Sequence, residues 1–217
     1  MQIKSITLGA ALALSAAVSA HAQTATTTWS NWSAAGQPGY SGATGIGTFA
    51  ADAGSEFGAT LSINNAGKAY GGLYTDFYYT GAADADLQLS SALAGDGVSD
   101  IALTIAFGGW TFTSLPTLTI DGQTYAFDAV QSSPDGDLLG YPVNSNTYTW
   151  HLDETGPYAS GTAFTIAWTF DQHVAFSEVA VSQVTAVPEP ETYALMMAGL
   201  LTVVGSVRRQ RRRELAD

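Results

Sequence analysis

Carboxylates dominate the side chains of this sequence that could do chemistry: 19 Asp plus Glu stand beside 3 His and no Cys. Two acids converging on one cleft can hydrolyse a glycosidic bond, one protonating the leaving oxygen and the other acting as base or nucleophile. Glu56, Glu154 and Glu178 are the glutamates between residues 23 and 186, and none stands in a recognisable catalytic frame. Several carboxylates on one loop can instead hold Ca²⁺, which takes about six to eight oxygens. Asp135-Gly136-Asp137, Asp84 with Asp86, and Asp96 with Asp100 have short spacing, but none completes an Asp-x-Asp-x-Asp-Gly loop with its distant Glu. Asp-Gly is first of all a turn dipeptide. No cofactor is therefore expected, and Asp135 and Asp137 are the candidates should calcium bind. His151 lies in an alternating run and His173 in a short polar link. No Gly-x-Ser-x-Gly elbow or His-x-x-x-His spacing accompanies them, so neither nucleophilic nor zinc chemistry is indicated. No enzyme is expected.

Aromatic residues offer a different chemistry. The chain has 5 Trp and 10 Tyr, and an exposed ring can stack on the face of a sugar. Trp29, Trp32, Tyr74 and Tyr78 are the stacking candidates. Trp150 and Trp168 sit within alternating runs and are expected in the core, where large rings bury most area.

These residues must be positioned by strands. Ile101–Phe107, Thr147–Leu152 and Ala163–Phe170 alternate large apolar with small or polar residues, the period of a half-buried strand. Thr117–Ile120 and Thr124–Phe127 flank Asp121-Gly122, a strong hairpin signal. Further strands are expected over Tyr70–Thr80 and from Val174 to Val187. Turns are expected at Asn64–Gly67, Gly95–Gly97, Ser133–Asp137 and Thr155–Pro157. Thr24–Gly58, rich in Ser, Gly and Ala, reads as loops with one or two edge strands, in which Trp29 and Trp32 cover a sheet edge or pack under a loop. No confident helical period or fixed repeat occurs in the middle of the chain. Many short strands separated by turn clusters predict an all-β fold, a β-sandwich of jelly-roll or immunoglobulin-like type.

Charge divides the chain. Only 12% of residues are charged, about half the roughly 25% of an ordinary domain. Lys68 is the one basic side chain between residues 23 and 186, against 15 acids, a net charge of −14. Such a domain does not bind nucleic acid, which needs a basic surface. Without Cys it depends on an ordinary core, for which its length suffices.

The two ends read as addresses. Lys4, the apolar run Ile6–Val18 and Ala20-His21-Ala22 are the three parts of a secretory signal, predicting removal of residues 1–22 by signal peptidase. At the other end stand Pro188-Glu189-Pro190 in a linker over residues 187–191, an uncharged run over 192–207, and Arg208, Arg209, Arg211, Arg212 and Arg213 within a basic tail, residues 208–217. Prolines disfavour helix in the linker. The apolar run followed by arginines predicts a transmembrane helix with a cytoplasmic stop. Its length as a helix is about 24 Å, short of the roughly 30 Å hydrocarbon core.

Together these C-terminal features resemble the PEP-CTERM sorting signal, including Leu195-Met196 and Gly199-Leu200 within the run. The chain departs from that pattern in continuing past the arginines through Glu214–Asp217. The resemblance implies a precursor anchored in the inner membrane of a Gram-negative bacterium that makes exopolysaccharide. It also implies processing by exosortase, a membrane-embedded transpeptidase-like enzyme, with Pro188, Glu189 and Pro190 as the processing motif. The expected product is a non-catalytic protein of the cell surface or extracellular matrix. A carbohydrate-binding module acting on exopolysaccharide is the alternative, followed by a glycoside hydrolase.

Overall fold

The structure is a computed structural model of the chain. It describes residues 23–32, 47–64, 70–71, 77–81, 83–109, 111–138, 140–152, 158–185 and 199–200. Gln23–Ala186 form one compact unit. The other unit, Met1–Ala22 with Val187–Asp217, is described only at Gly199 and Leu200, which have helical backbone. The expected signal peptide, the linker, the basic tail and the rest of the 192–207 run lie outside the described residues. Among the described residues no helix is long and apolar enough to cross a membrane.

The described part of the larger unit is built from strands: β1 Thr24–Trp29, β2 Gly47–Phe49, β3 Ala59–Asn64, β4 Tyr70–Gly71, β5 Tyr78–Tyr79, β6 Ala85–Ala92, β7 Val98–Gly109, β8 Phe112–Ile120, β9 Gln123–Ala126, β10 Ala129–Leu138, β11 Tyr141–His151, β12 Ala163–Phe170 and β13 Val174–Thr185. They form two antiparallel sheets. One runs β10-β11-β7-β13-β5-β4, with β1 also on β13; the other runs β2-β3-β6-β12-β8-β9.

Alternation sets the faces. In β12, Phe164, Ile166, Trp168 and Phe170 are buried while Thr165 and Thr169 are not. Ile101, Leu103 and Ile105 of β7 do the same for the first sheet. The buried faces meet in one cluster. Phe170 of the second sheet stacks on Phe176 of the first at 5.4 Å between ring centroids, and Phe107 of β7 meets Phe112 of β8 at 5.0 Å. Outward, the second sheet carries a row of hydroxyls in register: Thr60, Ser90, Thr165, Thr119 and Thr124. Outward-facing Thr and Ser, rather than ion pairs, account for the low charge.

Several expectations are corrected. Trp29 and Trp32 are 1% and 3% exposed and Tyr78 is fully buried, so none offers a face to a sugar; Tyr74 lies outside the described residues. The cause is long-range pairing. β1 zips onto β13, Thr24 opposite Val184 and Trp29 opposite Val179, which turns Trp29 inward. Its indole N–H donates to the Phe49 carbonyl at 3.2 Å. Ser133–Asp137 is not a turn between strands. It lies within β10, where a register shift between Pro134 and Asp137 absorbs the extra residues. That strand is at a sheet edge, where Pro and a bulge are tolerated and discourage further pairing. β3 and β6 add two strands to those expected, with Leu61, Ile63, Leu87 and Leu89 alternating inward against Thr60, Ser62, Asp86, Gln88 and Ser90.

Candidate functional site

The most distinctive local geometry lies where β13 changes partners. One flank of β13 pairs with β7; the other holds β5 at Ala175 and Phe176, then β1 from Val179 onward. A bulge falls between Phe176 and Glu178. Trp32 backs this seam from the core. Its indole N–H donates to the Ser177 carbonyl at 2.7 Å, and its ring packs edge-on to Phe176 at 5.1 Å. Asp52 pins the chain leaving β1: its carboxylate accepts from the Ser30 N–H at 2.8 Å, the Ser30 hydroxyl at 2.6 Å and the Asn31 N–H at 3.3 Å.

These contacts shape an open groove of about 610 Å³ lined by Ser30, Asn31, Asp52, Ser177 and Glu178. Burial holds the Glu178 carboxyl above the usual glutamate range, with the nearby charges of Asp135 and Asp52 adding to the effect. Hydroxyls, an amide and carboxylates are groups that exchange hydrogen bonds with sugar hydroxyls. The sequence carried no sign of this site, because its residues come from distant parts of the chain and only pairing joins them.

The other acids act largely as acceptors for the fold. Asp96 accepts the Ser160 N–H and Asp128 the His151 N–H, each at 2.7 Å. Glu56 accepts the Thr26 N–H, also at 2.7 Å. Asp84 and Asp86 accept the hydroxyls of Thr113 and Thr169. Asp137 accepts the Gly140 N–H at 2.7 Å, closing a loop. Among the described residues, no three His, Asp or Glu converge as a metal site.

His151 pairs through Nδ1 with Asp100 Oδ1, and the Ser99 hydroxyl donates to Asp100 Oδ2 at 2.7 Å. The carboxylate thus stands between Ser and His. A hydrolytic triad needs the imidazole between them, where it can take the serine proton. His173 Nδ1 lies 2.6 Å from the Tyr79 hydroxyl, on a left-handed turn at φ 60°. Trp150 and Trp168 are buried. Pro188, Glu189, Pro190 and the five tail arginines lie outside the described residues.

Residues 186–212 match the family model of the PEP-CTERM protein-sorting motif. No curated protein matches the chain. The chain therefore carries a C-terminal signal for exosortase processing, which implies export and membrane-associated sorting in a Gram-negative bacterium.

Proposed function

We propose that a chain bearing this sorting motif is an exported, non-catalytic β-sandwich protein, released from a temporary membrane anchor to serve at the cell surface or in the extracellular matrix. The motif match carries this reading. The match begins at residue 186, directly after β13 ends at Thr185. The apolar run and its arginines supply the anchor, and signal peptidase removes residues 1–22. A non-catalytic role is supported by acids engaged with backbone N–H groups and by the order Ser99, Asp100, His151.

Strand pairing supports a jelly roll within the sandwich class. Eight strands nest as hairpins: β5 with β13, β6 with β12, β7 with β11, and β8 with β9. That nesting is the double Greek key of a jelly roll. The fold itself assigns no ligand.

The test is an immunoblot of membrane and medium fractions. Replacing Pro188, Glu189 and Pro190 with alanine should leave uncut precursor in the membrane. Processing like wild type would end this account of the motif. A second reading, carbohydrate binding, is favoured by the groove at Ser30, Asn31, Asp52, Ser177 and Glu178 rather than by the buried rings. A glycan array probed with the secreted protein tests it; a hit that persists in a Ser177→Trp variant, which fills the groove, would place binding elsewhere.

A further inference from the structure

The groove beside the β13 bulge is short of donors. Ser30 gives both its backbone N–H and its hydroxyl proton to Asp52, and the Asn31 N–H goes to the same carboxylate. The Ser177 hydroxyl donates to the Ala106 carbonyl at 3.4 Å. Of the side chains that line the groove, only the Asn31 amide keeps donors uncommitted among the described residues. Acceptors are plentiful. The two hydroxyl oxygens keep their lone pairs, and an ionised carboxylate accepts at about four sites and donates at none. Among the described residues no hydrogen bond or ion pair reaches the Glu178 carboxylate. Burial and the charges of Asp135 and Asp52 both disfavour its ionised form. A cation bearing hydrogen-bond donors would relieve it, and no Lys or Arg lies among the described residues to supply one.

We propose that the groove binds an amino sugar with a free ammonium group, its ammonium on Glu178 and Asp52 and its neighbouring hydroxyls against Ser30, Asn31 and Ser177. This names the sugar class for the carbohydrate-binding reading above and rests on it. An ammonium brings three donors and no acceptor, the complement of what the groove offers. N-acetylation leaves one N–H, adds a carbonyl acceptor and removes the charge. A uronic acid adds acceptors where they are already in excess, and residues 23–186, at net charge −14, repel it.

The site is also held in shape. Asp52 is fixed by its three bonds, and the Trp32 indole holds the Ser177 carbonyl. A site formed before its ligand arrives loses less affinity to ordering. The volume of about 610 Å³ lies within the roughly 300–1,000 Å³ of small-ligand sites.

Titration of the secreted protein with short glucosamine oligomers of several linkages tests the proposal. The same oligomers N-acetylated, and oligomers of a uronic acid, are the comparisons. The free-amine form should bind at least about tenfold more tightly than the N-acetylated form, the worth of one charge-assisted hydrogen bond, and the uronic acid should not bind. Glu178→Gln keeps the shape of the side chain and should cut that preference several-fold without weakening the N-acetylated form. Ser177→Trp, which fills the groove, should abolish binding of both. Equal binding of the two forms, or a preference undiminished in Glu178→Gln, overturns the proposal and leaves carbohydrate binding standing. Ethanolamine competing as well as the amino sugar would show a bare cation site and overturn it. So would binding that EGTA abolishes, because the carboxylates would then serve a calcium ion. Binding of no oligomer rejects both this proposal and the carbohydrate reading.

Discussion

Glu178 is the residue at which fold and charge conflict most directly. Its carboxyl is held above the ordinary value of 4.5 by burial, then by Asp135 and Asp52. A raised folded pKa means that the folded state favours the protonated form. The associated stability is fully present below about pH 4.5, the unfolded value, and is lost as pH rises through the folded value. Glu178→Gln should therefore raise Tm at pH 7 and leave it unchanged near pH 4. The side chain is half exposed and solvent screens it, so the gain stays below about 1 kcal/mol, roughly 2–4 °C. An equal gain at both pH values would show packing, not charge, to be responsible. Two tryptophans give a second contrast. Trp32 donates to the Ser177 carbonyl, whereas the buried Trp168 indole N–H has no partner. Both Trp→Phe changes remove the same atoms, but only Trp32→Phe breaks a bond. Urea unfolding should find Trp32→Phe costlier by about 1–3 kcal/mol; equal costs would mean that the orphan N–H is satisfied in solution.

At the scale of elements, what the sequence made legible was local. Ala163–Phe170 alternates without interruption, and β12 has those bounds. Asp121-Gly122 predicted a hairpin, and both residues adopt positive φ, 50° and 75°, in a two-residue loop joining β8 to β9. Pairing between distant strands left no such mark. Nothing in Thr24–Trp29 says that its partner lies some 155 residues away, so the rings it buries looked available and the groove went unseen. The glycines separate local from long-range demands. Gly122 has φ +75° and nothing within 4 Å of an added Cβ, so Gly122→Ala meets only backbone strain, about 1–2 kcal/mol. Gly109 has φ +99°, and an added Cβ would stand 2.4 Å from the His173 carbonyl oxygen. That oxygen belongs to the turn whose N–H donates to Gly81, and it cannot yield without opening the start of β13. Gly109→Ala should cost more than about 4 kcal/mol, and thermal melts of the two variants check the difference.

Over the whole molecule, charge sets the environment in which the domain is stable. Fifteen acids and one lysine between residues 23 and 186 repel one another at neutral pH, and no Lys or Arg lies among the described residues to offset them. Self-repulsion destabilises a compact state while opposing association. Salt shortens its range, from a Debye length of about 30 Å at 0.01 M to about 3 Å at 1 M. Tm of the mature protein should therefore rise by several degrees between roughly 0.01 M and 0.5 M NaCl, and equally in KCl; a flat or falling Tm would show that repulsion is not a governing term. Calcium separates screening from binding. At ionic strength matched with NaCl, screening alone predicts the same Tm with Ca²⁺ as with EGTA. A saturable further rise that EGTA reverses would require carboxylates gathered around the ion, and substituting Asp135 and Asp137 with asparagine would then test whether the β10 bulge supplies them. Without that rise, the acids are acceptors for the backbone and a source of solubility, and folding depends on the apolar faces that alternation places between the two sheets.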